Sequence, residues 1–138
     1  MKLFGVVGWK NSGKTTLVER LVAETVNRGL SVSTVKHAHH AFEIDHEGKD
    51  SWRHRAAGAR EVLVSSGLRW ALMSELRGAP EPPLSAMLAK LGPVDLVLIE
   101  GYKRDRHPKI EAHRAATGQP LIALEDDSVR AVASDAPL

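Results

Sequence analysis

The sequence contains no cysteine, and aromatic residues make up only 4% of it. Disulfide bonds and thiolate metal sites are therefore excluded, and a cytoplasmic location is expected. Long hydrophobic runs are also missing: the run at residues 96–99 falls far short of the roughly 20 apolar residues that a membrane helix needs. We therefore expect no membrane partner.

Charge of one sign is not in large excess either. The chain has 19 Lys and Arg against 17 Asp and Glu, a net charge of +2, and a pI near 9.1. No arginine-rich tract with interleaved aromatics is present, so we expect no nucleic-acid partner, and phosphate-bearing ligands account for the basic balance. The 138 residues suit one domain, 1–138, with a single core.

The first third of the chain has the pattern of a strand, a glycine-bearing loop, a helix and a second strand. Residues 3–7 and 30–35 are short apolar runs, and Gly29 stands where a helix ends. Such a unit predicts two parallel strands joined by a right-handed crossover. The helix is indicated by apolar residues at spacings of three and four, namely Leu17, Val18, Leu21, Val22 and Val26.

The remaining pattern predicts an α/β protein with a P-loop NTPase-like three-layer fold, a mostly parallel central sheet and an antiparallel edge. After the last strand pattern no helix follows, so we expect a partner, or further chain beyond Leu138, to cover that strand. The predicted elements are a polar loop at 36–49, helices at 50–58 and 84–91, an antiparallel pair at 60–65 and 70–76, and strands at 94–99, 109–112, 121–124 and 129–133.

Residues 8–15 match the P-loop pattern G-x-x-x-x-G-K-T at every fixed position, between a predicted strand and a predicted helix. The two glycines let backbone N–H groups turn toward phosphate at the positive end of the helix. Lys14 supplies a catalytic positive charge, and the Thr15 hydroxyl suits Mg²⁺, which prefers oxygen ligands. The predicted nucleotide-binding residues are Gly8, Lys10, Asn11, Ser12, Gly13, Lys14, Thr15, Thr16 and Lys36.

Two carboxylates complete the predicted site. Glu100 ends an apolar strand, as in a Walker B motif, and could hold Mg²⁺ or orient water. Asp45 begins Asp45-His46-Glu47-Gly48, which has the form of a D-x-x-G switch. Both are candidate catalytic and metal residues, alongside Thr15 as a metal ligand. The alternative for Glu100 is a solvated acid at a strand end. The alternative for Asp45 is a plain surface loop.

Two further clusters leave alternatives open. Five histidines at positions 37, 39, 40, 46 and 54 could form a transition-metal site, although solvated histidines near an anionic ligand are the plainer interpretation. The basic segment 102–109 follows the Walker B-like strand and is either a solvated loop or a contact with a second phosphorylated ligand. Within it Lys103-x-Asp105 resembles a guanine-reading motif, but Tyr102 replaces the asparagine, so guanine does not follow from these residues.

The ordered set of motifs resembles the molybdopterin-guanine dinucleotide biosynthesis protein B (MobB) family over residues 3 to about 135. The resemblance is carried by the P-loop and by four later segments. It implies a GTP-binding protein that has feeble GTPase activity and forms a homodimer. It also implies assistance to the guanylyltransferase MobA in attaching GMP to molybdenum cofactor, with molybdopterin as a possible ligand. The four segments are Val35-Lys36-His37, Asp45 with Gly48-Lys49-Asp50-Ser51, Glu100-Gly101-Tyr102-Lys103, and Pro108-Lys109-Ile110-Glu111.

Three other functions compete with this interpretation. A P-loop beside a basic segment could serve a small-molecule kinase, although no lid with clustered arginines is evident. The histidines suggest a metal-delivery GTPase, which the absence of cysteine weakens. A binding module without catalysis is the third alternative, since the sequence does not establish that Asp45 or Glu100 activates water.

Overall fold

The computed structural model describes residues 1–39, 42–45 and 47–138. The chain forms two compact units, Met1–His39 with Leu84–Leu138, and His40–Pro83. Each unit contains a sheet of its own, and the prediction of a single domain stays a prediction. Within the described residues, no helix is long and apolar enough to cross a membrane.

The first unit is built on a parallel sheet of five strands in the order β2-β5-β1-β6-β7. β1 and β5 are central, and their residues Val6, Val7, Val97, Leu98 and Ile99 are almost fully buried, as expected of parallel strands covered on both faces. The strands are β1 (Lys2–Val7), β2 (Val32–Lys36), β5 (Leu96–Glu100), β6 (Lys109–His113) and β7 (Val129–Ser134).

Helices of the first unit cover opposite faces of this sheet. α3 (Leu84–Leu88) packs on the face that carries Val97 and Ile99. Side chains alternate along a strand, so Glu100 belongs to the other face. A hydrogen bond from Thr15, in the first turn of α1 (Lys14–Asn27), to Glu100 places the start of α1 on that face. The predicted three-layer α/β fold with a mostly parallel sheet is confirmed.

One predicted strand of this unit, 121–124, is wrong. The structure has a 3-10 helix there, Ile122–Leu124, and a second one at Ala115–Thr117. The physical reason is the carboxylate of Glu111, which accepts the N–H groups of Ile122 at 2.8 Å and Ala123 at 2.9 Å. Those donors would otherwise be available for strand pairing.

The second unit contains α2 (Asp50–Ala56) and an antiparallel pair, β3 (Glu61–Ser65) and β4 (Trp70–Ser74). The predicted antiparallel pairing is confirmed, but its placement at the edge of the central sheet is corrected, because β3 and β4 form a sheet of their own. In this pair Val62 is buried, whereas Leu63, Trp70 and Leu72 are exposed.

Candidate functional site

The P-loop segment connects β1 to α1 in a conformation that the glycines make accessible. Asn11 and Gly13 have positive φ angles of 65° and 93°. A side chain at Gly8 would place its Cβ 2.3 Å from the Ser12 Oγ and 2.7 Å from the Ala112 carbonyl oxygen. Only glycine fits at that point. The loop therefore closes tightly against the end of β6 before the helix begins.

Three features of this loop suit an anion. Among the described residues no side chain caps the N-terminus of α1, so its first N–H groups remain available, at the positive end of the helix dipole. The Lys14 ammonium donates to the Gly8 carbonyl at 3.0 Å, which holds it across the loop. Ser12 is buried, and its Oγ has no partner among the described residues. Phosphate oxygens would accept from all of these donors.

Thr15 and Glu100, predicted from separate motifs, are brought together. The Thr15 hydroxyl donates to the Glu100 Oε1 at 3.1 Å. Adjacent oxygen ligands on an octahedral Mg²⁺, with bonds of about 2.1 Å, lie about 3 Å apart. The spacing and the all-oxygen chemistry of this pair therefore fit one magnesium ion, for which these two residues would supply ligands.

Lys36 lies beside the same carboxylate. It is the last residue of β2 and pairs in register with Glu100 of β5, which in turn pairs with Val6 of β1. Residues in register on neighbouring strands share a face. The exposed Lys36 side chain therefore stands on the face of the sheet that carries Glu100 and the start of α1.

The turn after Glu100 is locked against the end of β2. Gly101 has a φ of 98°, and a Cβ there would lie 2.9 Å from the His37 Cβ. The N–H of His37 donates to the Glu100 carbonyl at 2.9 Å, and its ring stacks on Tyr102 at 4.4 Å. These contacts fix the backbone from which the Glu100 carboxylate projects.

Asp45 belongs to the second unit. Its side chain is only 6% exposed and lies 3.4 Å from the Arg55 guanidinium. Arg55 also binds Glu43 at 2.6 Å and Glu75 at 3.4 Å, and the hydrogen bond to Glu43 is the main cause that raises the pKa of Arg55. Asp45 is thus held in an arginine-centred cluster of carboxylates. Its predicted role toward magnesium stays a prediction.

The histidine cluster does not assemble into a metal centre in the part of the chain that the structure describes. Across residues 1–39, 42–45 and 47–138, no group of three or more His, Cys, Asp or Glu side chains is arranged to hold a metal ion. His37 and His39 contact each other edge to face at 5.3 Å. His40 and His46 lie outside the described residues.

Two contacts of the P-loop, with Arg114 and with Pro120, were not predicted from the sequence. The Arg114 guanidinium lies against the loop, since a Cβ at Gly13 would sit 3.0 Å from its Nη2. The Trp9 indole donates to the Pro120 carbonyl at 2.8 Å, with the Lys103 ammonium 5.5 Å from the ring centroid. Arg114 follows directly on β6, so its place at the carboxyl edge of a parallel strand was the available signal.

A parallel sheet whose central strand enters a glycine-bounded loop and a helix defines the class of α/β proteins with the P-loop NTPase-like fold. The chain also matches a protein family, described as molybdopterin guanine dinucleotide synthesis protein B (MobB), over residues 3–135. The chain belongs to this family.

Similar proteins and a solved structure support the same family. The molybdopterin-guanine dinucleotide biosynthesis adapter protein of Haemophilus influenzae is 43% identical, with 99% of this chain and 76% of the relative covered. That of Escherichia coli is 38% identical, with 99% and 79% covered. A crystal structure of a MobB homolog from Bacillus stearothermophilus is 33% identical, with a TM-score of 0.66 and with 100% of this chain and 83% of that chain covered.

Proposed function

We propose that this chain is a GTP-binding adapter protein of molybdopterin guanine dinucleotide biosynthesis, cytoplasmic and weakly GTP-hydrolysing, which assists the guanylyltransferase MobA. The observation that carries the proposal is the Thr15–Glu100 pair at the foot of the P-loop, because it joins a phosphate cradle to a magnesium-compatible oxygen pair. The choice of guanine and of MobA rests on the family and on its relatives' adapter name.

In this function the residues of the site have separate roles. The α1 N-terminus and Lys14 bind the phosphates, while Lys36 adds positive charge on the Glu100 side. Magnesium, when bound, neutralises charge that develops on the transferred phosphoryl group. Thr15 and Glu100 would hold that ion, and Glu100 would also orient the attacking water. Asp45 is the second proposed acid, as the D-x-x-G pattern suggests.

Replacing Glu100 with glutamine should slow GTP hydrolysis by about tenfold or more, because the amide cannot accept a proton from water or match the charge of the carboxylate. GTP affinity should fall by less than about threefold, because Lys14 and the loop N–H groups remain. The GTP-dependent complex with purified MobA should therefore last longer in the mutant. Single-turnover kinetics measure the rate of hydrolysis. Surface plasmon resonance with GTP measures the lifetime of the complex with MobA.

Glu19→Gln is the matched control, since Glu19 is exposed on α1. Equal hydrolysis by Glu100→Gln and Glu19→Gln would show that Glu100 is not catalytic. Absence of MobA binding with GTP, GDP and no nucleotide alike would contradict the adapter function itself.

We also propose that the chain forms a homodimer through the exposed face of the β3–β4 hairpin. Leu63 and Leu72 are directly opposite in register, and Trp70 lies on the same face. These side chains are 64%, 46% and 67% exposed, respectively. A contiguous exposed apolar patch favours association, and an isolated two-stranded hairpin is only marginally stable. A second copy would cover the patch.

Leu72→Lys should convert the dimer to a monomer in sedimentation velocity, because it places a charge in the centre of this apolar face. Ser74→Lys, on the same face at the end of β4, adds the same charge outside the apolar group and should leave the dimer intact. A wild-type monomer, or a Leu72→Lys protein that sediments as a dimer, would contradict the proposed interface.

A further inference from the structure

A cavity of about 320 Å³ in the first unit lies beside the P-loop and is not used by the nucleotide site described above. Such a volume is within the range of small-molecule pockets, which combine apolar walls with a few polar groups. The lining residues fit that description. They include the aromatic and apolar Trp9, Pro120, Leu121 and Leu124, and the cationic Lys103 and Arg104.

One wall of this cavity is held by a fully buried lysine. Lys109 of β6 is 0% exposed, and its ammonium donates to the Asp105 and His107 carbonyls and to the Ser128 hydroxyl. These bonds tie the segment that follows Lys103 and Arg104 to the start of β7. The lysine therefore fixes the backbone that carries the two cations.

A second part of the lining, residues 120–126, is held by a fully buried acid two residues further along the same strand. Glu111 is 0% exposed, and its carboxylate accepts the N–H groups of Ile122 and Ala123. Trp9 bonds to the Pro120 carbonyl in the same part of the lining. Two buried charges and one indole thus hold the segments that line the cavity.

The charges that remain for a ligand are positive. Arg106 binds Asp126 and Asp127, and the Lys109 ammonium lies 4.0 Å from Asp126. Asp126 therefore has its charge compensated, and hydrogen bonds from Ser128 hold the pKa of its carboxyl below the usual range. Lys103 and Arg104 form no ion pair within residues 1–39, 42–45 and 47–138. Two acids, Glu125 and Asp126, line the cavity. With Asp126 compensated, the exposed Glu125 is the one remaining negative charge among the lining residues, beside two cations.

The two buried ions that hold these segments lie on the other face of the sheet from the proposed triphosphate site. Lys109 pairs in register with Gly5, and Gly5 pairs with Ile99, so the buried ions of β6 belong to the face that α3 covers. The phosphate cradle is at the start of α1, on the opposite face. Trp9 belongs to the P-loop and also lines the cavity, so the two sites share this residue.

We propose that this cavity binds a second small ligand, distinct from the nucleoside triphosphate, which combines one flat ring with a phosphate group. The ring would lie among Trp9, Pro120 and Leu124, and the phosphate would be bound by Lys103 and Arg104. The indole face attracts flat rings and cations. The Lys103 ammonium and the Arg104 guanidinium supply charge-assisted hydrogen bonds to phosphate. Because Trp9 is part of the P-loop, the second ligand contacts the nucleotide site directly.

The test uses 4-methylumbelliferyl phosphate, a flat fused ring with a phosphate ester, titrated calorimetrically against the whole chain. The probe should bind at least tenfold more tightly than 4-methylumbelliferone or inorganic phosphate alone. Lys103→Glu and Leu124→Glu should each weaken it at least tenfold. Lys90→Glu, an exposed lysine that does not line the cavity, should leave it unchanged. Saturation with a non-hydrolysable GTP analogue and magnesium should not displace the probe.

Lys14→Ala separates this proposal from the proposed function, because it should weaken GTP binding by about 100-fold or more and leave the affinity for the probe unchanged. Displacement of the probe by the GTP analogue, or its loss in Lys14→Ala, would assign the binding to the P-loop and overturn the proposal. No binding of the probe, equal binding of the ring alone, or equal affinities for Lys103→Glu and Lys90→Glu would also overturn it.

Discussion

Replacing Lys14 with alanine should weaken GTP binding by about 100-fold or more while the protein stays folded. The ammonium is positioned across the P-loop by the Gly8 carbonyl, where it would contact the β- and γ-phosphates. Charge-assisted hydrogen bonds contribute about 1.5–3 kcal/mol each, and two of them make about 3–6 kcal/mol, with each 1.4 kcal/mol a factor of ten. Isothermal titration with GTP and magnesium measures the loss.

The control for this change is Lys90→Ala, which removes an exposed lysine of the same unit away from the loop. It should bind GTP as the wild type does. Circular dichroism establishes that both variants are folded. A folded Lys14→Ala protein with wild-type affinity would refute the P-loop assignment.

Replacing Lys109 with methionine should destabilise the protein by about 3–5 kcal/mol, the usual effect of removing one member of a buried charged network. Methionine keeps much of the volume but leaves the Asp105 and His107 carbonyls and the Ser128 hydroxyl without their donor. Burial already lowers the pKa of the Lys109 ammonium, so its hydrogen bonds must compensate a large desolvation penalty. Urea unfolding followed by circular dichroism measures the free energy of unfolding.

Lys90→Met is again the matched control, because an exposed site should change stability by less than about 0.5 kcal/mol. A Lys109→Met protein as stable as Lys90→Met would show that the buried lysine does not hold the loop after β5 to the start of β7.

The parts of the site that follow from local chemistry were predictable from the sequence. The spacing of Gly8, Gly13 and Lys14 specifies the loop and the start of α1, since glycine conformation and helix polarity act over a few residues. Glu100 was predictable because an apolar run indicates a buried parallel strand whose carboxyl end meets the loop. The residues predicted from these patterns, Thr15, Lys36 and Glu100, do meet at one edge of the sheet.

Features that depend on distant partners were not predictable. Lys109 and Glu111 have the alternation of a strand, but a charged residue in such a pattern ordinarily faces water. Their burial depends on backbone groups of residues 105–107 and 122–123, and the same bonds make residues 122–124 a 3-10 helix. The position of Arg114 against Gly13 likewise requires β6 to lie beside β1.

The strand order has a consequence for how the chain folds as it is synthesised. β1 lies between β5 and β6, and in the described part of the chain β2 pairs only with β5. Neither of these two amino-terminal strands therefore has a sheet neighbour until residues 96–100 have emerged from the ribosome. Contacts this distant along the chain slow folding, because a long loop must close before they form. The strand that leads into the P-loop is therefore completed late, and until then its apolar edges remain open to chaperones or to aggregation.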